Sequence, residues 1–363
     1  MKKCSKTKSG GMTRRDVFKL SGLAMGGLAV GNLTSGCGNG AHAESTDDPT
    51  QQYTYFDELP ECQPGEPLNA DEMRITFLGS WYAPRIAQAC NSIFVEVGGG
   101  PGGTAADQFI FDCGSGVSAK YNAMGIPMSK MNKIFLTHLH GDHMSDLTHI
   151  YCFGPSYDRK SPLYVWGPTN SGLTYTDPYR KEVRGPYEDG TRAYCENLRK
   201  ALRWHTESFS FQSTAIVGFM PPTQQDWGLP ATPIPVEDDD AADAYALIPI
   251  ELDWKTEGGT AYNNPSTGVK ITHFPAVHCR QGSISYKLEW KGLSMIFTGD
   301  TRPSYYVVDQ ATAGVDVLIH EITTSAEVWA ENFVGIDPDN PAWELVVGDL
   351  QNVQDSSHTP QKA

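Results

Sequence analysis

Ile134-Phe135-Leu136-Thr137-His138-Leu139-His140-Gly141-Asp142-His143 decides how the rest of the chain is read. Ile134 to Leu136 is a short apolar run of the kind that forms a buried strand. Three histidines and one aspartate follow within six positions. Imidazole and carboxylate suit zinc and related divalent metals. On an extended segment alternate side chains share a face, so His138 and His140 point the same way. Gly141 allows a tight turn. Beyond it, Asp142 and His143 can face a second ion about 3.5–4 Å from the first. The whole chain has ten histidines, so three in one loop mark a site and not an ordinary polar turn.

The stretch has the form H-x-H-x-D-H and resembles the signature of the metallo-β-lactamase superfamily. That resemblance implies an α/β (α+β) chain in a four-layer αββα fold, with one or two metals in a cleft between two sheets. Working outward, Arg74 to Ser80 reads as a strand ending in a turn, and Asn91 to Val97 as its partner. Gly98 to Gly103 is a glycine-rich connection with no P-loop after it, and Phe109 to Phe111 is a third strand with Asp112 at its end. The order F-L-G-S, P-R, N-S, F-D-C-G-S-G, T-H-L-H-G-D-H is similar to the tRNase Z and arylsulfatase-like branch, from about Arg74 to the C-terminus. Leu163 to Pro168 extends the likeness.

The resemblance implies a full ligand set. His278 matches the next family ligand because a Ser-Tyr-Lys-Leu-Glu strand follows it, with His273, five residues earlier, as its competitor. Asp300, in Phe297-Thr298-Gly299-Asp300-Thr301, matches the carboxylate that bridges both ions, and His358 matches the last ligand. The implied shells are His138, His140 and His278 on one zinc and Asp142, His143 and His358 on the other, with Asp300 on both. Manganese or iron could replace zinc. Asp112 is expected to orient the metal loop from behind, since a carboxylate fixes the tautomer and direction of a ligating histidine. His320, in a segment similar to the family's His-Glu-Ala-Thr, is expected to protonate the leaving oxygen, with Glu321 beside it. Asp142 is placed with His320 among the catalytic groups. The implied nucleophile is a metal-bound hydroxide.

The remaining segments read as follows. Thr13-Arg14-Arg15-Asp16-Val17-Phe18-Lys19 resembles a twin-arginine motif. The apolar run from Leu20 to Val30 is too short to span a membrane, and Ala41-His42-Ala43 fits a cleavage site. Residues 1–43 are therefore expected to be an export signal handled by the twin-arginine machinery, delivering the protein to the periplasm or beyond. Membrane attachment is expected only on acylation at Cys37, the alternative processing site. Residues 44–70 are polar and acidic and read as a linker, leaving 71–363 as the catalytic domain. About 174–267 departs from the family pattern and reads as an insert walling the cleft, with a helix over Tyr194–Trp204. Val315 to Glu321 reads as a buried strand, and Leu293 to Phe297 as the second arm of a hairpin turning at Lys291-Gly292. The family continues past the position of Ala363, so the C-terminus reads as incomplete. Cys113 and Cys279, each beside a suspected ligand, are expected to be small buried thiols.

The formal charge is −15, although residues 1–43 hold seven basic side chains and one acidic one. The rest of the chain is more acidic still and should repel polyanions. This disfavours a nucleic-acid partner. The leading expectation is an exported dinuclear zinc hydrolase acting on a small ester, a sulfate ester or a phosphodiester. A 3′ tRNA-processing endoribonuclease and a cyclic nucleotide phosphodiesterase are the alternatives within the fold. A metal-binding protein without catalysis is the alternative outside enzymology; seven ligand candidates argue against it, because a structural site is normally closed and four-coordinate.

Overall fold

The computed structural model describes residues 66–83, 88–210 and 244–360. The expected export signal, most of the expected linker, Cys62 and the acidic run Glu237–Asp240 lie outside the described residues. The last residues of the expected linker already belong to the fold. Leu68 is buried, and its N–H donates to the Gly103 carbonyl at 2.7 Å.

The first sheet is built from β1 (Met73–Trp81), β2 (Ala89–Cys90), β3 (Ser92–Val97), β4 (Asp107–Phe111), β5 (Lys133–Phe135), β6 (Leu163–Pro168) and β9 (Leu247–Leu252). Its spatial order is β2-β1-β3-β4-β5-β6-β9. The run β4-β5-β6-β9 is parallel. A small hairpin, β7 (Tyr175–Thr176) with β8 (Val183–Arg184), stands apart. The second sheet orders β10 (Gly259–Asn264), β11 (Val269–Pro275), β12 (Ile284–Trp290), β13 (Leu293–Phe297) and β14 (Val317–Ile319).

Alternation along the central strands assigns each face. Phe94, Ile110, Ile134 and Leu136 point to one side, against Val117 and Tyr121 of α1 (Val117–Ala123). On the same side they meet Leu147, Ile150 and Tyr151 of α3 (Leu147–Tyr157) and Cys195 of α4 (Thr191–Ser210). Ile93, Val95, Phe109, Phe111 and Phe135 point to the other side, against Ile271, Tyr286, Leu288 and Met295 of the second sheet. A sheet covered on both faces needs near-continuous apolar strands, and every residue of β3 is buried. Between the sheets Phe135 stacks on Trp166 with ring centroids 4.5 Å apart. Such aromatic pairs add about 0.5–1.5 kcal/mol beyond burial. The far face of the second sheet is covered by α5 (Tyr305–Ala311), with Val307 against Phe274 and Ile296. The result is the four-layer αββα arrangement.

Lys291 and Gly292, both at positive φ (49° and 82°), close the β12–β13 hairpin in two residues. This is the turn whose twist matches paired strands. Three expectations are corrected. The supposed insert at 174–267 contains β9 and β10, which pair into the two main sheets. Its helix is longer than expected and packs on the first sheet through Cys195. The apparent break in pattern arose because β10, at a sheet edge, is only half-buried and carries Asn and Thr. The strand around Val317 is also an edge, and Val317 and Leu318 are 38% and 47% exposed. Finally, Cys279 is exposed, whereas Cys113 is buried as expected; neither is in a disulfide.

Candidate metal centre

The suspected ligands collect where the strands end. In a parallel sheet the carboxyl ends of the strands are where a crevice opens. Asp112 follows β4, the His138 loop follows β5, and His278, Asp300 and His320 follow β11, β13 and β14. His138 and His140 are still extended, and His140 (φ −74°, ψ 150°) caps the short helix α2 (Gly141–Met144). The switch from extended to helical backbone turns the chain at Gly141 and brings the His143 ring to 4.1 Å from that of His138, centroid to centroid. The loop is tied down through its backbone: Asn91 N–H donates to the Asp142 carbonyl at 3.0 Å and Cys113 N–H to the His143 carbonyl at 2.6 Å. A Cβ at Gly114 would come within 1.9 Å of the Asp142 carbonyl, so only glycine permits this approach.

His138 Nε2 lies 3.0 Å from His140 Nδ1, and His278 Nε2 lies 3.1 Å from the same atom. Three ring nitrogens converging without a proton to share evenly is a poor hydrogen-bond arrangement and a good metal-ligand one. Donors around a tetrahedral zinc, at 2.0–2.1 Å from it, stand about 3.3 Å apart, so the trio fits such an ion. Asp300 sits between this trio and His143, with one oxygen 3.2 Å from His143 Nε2 and the other 3.8 Å from His278 Nε2. Asp142 places an oxygen 3.4 Å from His143 Nε2. Three further groups of converging donors are His138, His143 and Asp300; Asp300, Glu321 and His358; and His278, Cys279 and His358. These clusters could hold metal, and Asp300 is shared by two of them.

The opposite nitrogens are fixed from behind. His278 Nδ1 donates to the Ser357 carbonyl at 2.9 Å, and Thr137 Oγ1 lies 3.1 Å from His138 Nδ1. His143 Nδ1 meets the Asp112 carboxylate at 2.7 Å, and the same carboxylate accepts from the Thr137 N–H and hydroxyl, each at 2.8 Å. Asp112 has φ 56°, in the left-handed region that costs a non-glycine residue about 1–3 kcal/mol. That strain is held by these three bonds. Replacing Asp112 with alanine is therefore expected to weaken metal binding about 10- to 100-fold, read by competition with a chromophoric chelator. Unchanged affinity would reduce Asp112 to a strand-end cap.

Burial lowers the pKa of His138, His140 and His278, which keeps their lone pairs free for a metal at lower pH. At His143 burial opposes the charged form, but Asp112 and Asp300 outweigh it and raise the pKa. Burial pushes the Glu321 carboxyl up to about 7, against the pull of His358.

All seven expected ligands thus surround one cleft. His358 reaches it at the end of α6 (Trp343–Ser357), where Thr323 pairs with Pro360. The pairing of Glu321 differs from the expectation that it stands by His320. Its carboxylate takes His358 Nδ1 at 3.0 Å and the Thr301 N–H at 2.5 Å, so it supports the His358 and Asp300 side of the site. Only its backbone carbonyl serves His320, accepting from Nδ1 at 2.9 Å. Neither His320 nor Asp142 belongs to the groups of converging donors among the described residues. His273 turns to the Asp253 carbonyl at 3.1 Å, His149 stacks on Phe153 and His205 bonds the Cys152 carbonyl. Sequence reading missed Asn91, whose Nδ2 lies 3.1 Å from His143 Nε2, and Thr137. Asn91 stood in the N-S pair that the family likeness had marked without a role.

The αββα layers, with these donors at the strand ends, are the metallo-β-lactamase fold. The family described as Anti-Pycsar protein Apyc1 matches residues 73–172. A ribonuclease Z of Sulfolobus acidocaldarius is 29% identical over 266 residues, covering 66% of this chain and 78% of that protein. The ribonuclease BN of Proteus mirabilis is 25% identical over 223 residues, covering 59% of this chain and 66% of its own. The ribonuclease Z of Halalkalibacterium halodurans is 25% identical over 219 residues, 60% of this chain and 65% of its own length. The chain thus matches just under two thirds of the last two relatives. Human tRNase Z, short form, superposes with a TM-score of 0.42 at 17% identity, covering 79% of this chain and 93% of that one.

Proposed function

We propose that this chain is a dinuclear zinc hydrolase that cleaves phosphodiester bonds, similar to ribonucleases Z. The observation that carries the proposal is the convergence of His138, His140 and His278 on one point, with Asp300 between them and His143. The relatives named above are ribonucleases Z and BN, so they support the 3′ tRNA-processing alternative of the sequence reading better than its leading small-ester reading, and they leave the sulfate ester without support. His138, His140 and His278 would hold one ion, Asp142, His143 and His358 the other, and Asp300 would touch both. When bound, two zinc ions supply Lewis acidity and lower the pKa of a water to near neutrality. Asp112 holds the His143 ring, Glu321 holds the His358 ring, and His320 would give a proton to the departing oxygen. We further infer that residues 1–43 direct export through the twin-arginine pathway, with Arg14 and Arg15 as the pair recognised; those residues lie outside the described structure.

The test is a comparison of zinc-loaded protein on bis(p-nitrophenyl) phosphate, p-nitrophenyl sulfate and a 3′-extended precursor tRNA. Turnover of the phosphodiester ahead of the sulfate is expected. Sulfate turnover with an inert phosphodiester would restore the sulfate-ester reading. The precursor tRNA asks a second question, because a formal charge of −15 opposes a long polyanion. Cleavage there would show that local contacts overcome that field.

A further inference from the structure

Beside the histidine trio lies a cavity of about 150 Å³, whose lining includes His138, His140, His278, Ser171, Asp189 and Arg280. The histidines are its buried end: His138 and His278 are enclosed, whereas the Arg280 side chain is 50% exposed at the rim. Arg280 is not a free surface side chain. Its Nη2 donates to the Asp189 carboxylate and, at 3.0 Å, to Ser171 Oγ. Asp189 in turn accepts from the Ser171 N–H at 2.8 Å and the Ser171 hydroxyl at 2.7 Å. One edge of the guanidinium is anchored. Nε and Nη1 have no hydrogen-bond partner among the described residues.

An isolated surface ion pair is worth about 0–1 kcal/mol and would need no such support. Here Ser171 and Asp189 come from two different turns, and Gly282, at φ 105°, lets the Arg280 loop pass close to Ser171. The outcome is an arginine tethered through Nη2 at the rim of the cavity, with Nε and Nη1 lacking a hydrogen-bond partner among the described residues. With Nη2 engaged, Nε and Nη1 diverge, so a phosphate would be met by one charge-assisted hydrogen bond and by the guanidinium charge. Arg280 is two residues beyond His278 and lines the same cavity; their Cα atoms are at most about 7 Å apart, which keeps the guanidinium on the substrate side of the histidine trio. The reacting phosphate would be met at the buried end of the cleft.

We propose that Arg280, positioned by Asp189 and Ser171, is a subsite for a second, non-reacting phosphate, one nucleotide away from the scissile bond. The subsite selects nucleotide phosphodiesters that carry a neighbouring phosphate over isolated diesters. This rests on the phosphodiester reading above, and the test separates the two.

Equilibrium binding to the zinc-loaded protein is measured by calorimetry with thymidine 3′,5′-bisphosphate and thymidine 5′-monophosphate. The bisphosphate should bind about 10- to 100-fold tighter, the scale of one hydrogen-bonded charge pair. In Arg280→Ala that preference should fall to near unity, and Arg280→Lys, which keeps the charge, should recover part of it. Zinc content and thermal midpoint of each variant establish that the centre and fold persist. A wild-type protein with no preference, or a preference unchanged in Arg280→Ala, overturns the subsite. A preference that disappears with Arg280, in a protein that hydrolyses no phosphodiester, supports the subsite and refutes the functional reading.

Discussion

Changing His140 to alanine should strip the centre of metal and turnover together. His140 Nδ1 is the atom on which His138 Nε2 and His278 Nε2 both converge, at 3.0 and 3.1 Å. Without it the trio becomes a pair, and two imidazoles do not make a closed zinc site. Structural zinc sites bind with about 10–16 kcal/mol, so an even share among four ligands is about 3 kcal/mol, or about 10²-fold in affinity. The fold should survive, because His140 is only partly buried, at the N-terminal cap of α2, and no hydrophobic cluster includes it. Metal analysis and turnover at controlled free zinc check the prediction. A variant that keeps two ions per chain and full activity would remove His140 from the ligand set. A wild-type protein that remains fully active after rigorous chelation would remove the metal mechanism.

The second large effect is at His320. Its Nδ1 is committed to the Glu321 carbonyl, which leaves Nε2 as the nitrogen available to a leaving oxygen. Because the ring acts as a proton donor and not a ligand, its loss should spare the metals. An alkoxide leaves poorly without a proton, and general acid catalysis is worth about 10²–10⁴-fold. Turnover of an alkyl phosphodiester by His320→Ala should fall by about that factor at unchanged zinc content. The loss should shrink for nitrophenol leaving groups, which depart as stable anions. A uniform loss across leaving groups of very different pKa would assign His320 a structural role, and loss of one zinc would make it a ligand.

The metal loop was legible in the sequence because everything it needs is local. The strand ends at Phe135 and the chain bends at Thr137, yet His138 and His140, two residues apart, still bring ring nitrogens to 3.0 Å from each other. The turn at Gly141 then brings the His143 ring beside that of His138. The β12–β13 hairpin was legible for the same reason, since Lys291-Gly292 encodes its own turn. The layers were expected from the family resemblance; in the structure Ile93-Phe94-Val95 and Phe109-Ile110-Phe111 send successive side chains into two different cores.

Tertiary structure decided what depends on register and on docking between remote segments. His273 and His278 lie on and just beyond the same strand, and only the packing shows that His273 turns to Asp253 while His278 meets His140. Glu321 adjoins His320 in the chain, yet its carboxylate serves His358, 37 residues away, because backbone direction at the end of β14 sends the side chain across the cleft. Arg280 and Asp189 are 91 residues apart and meet only because the loops after β6 and β11 end at the same crevice. Periodicity is a property of neighbours and can be read from a sequence. The pairing of side chains across a cleft is a property of the closed fold, in which two sheets fix where each strand end arrives.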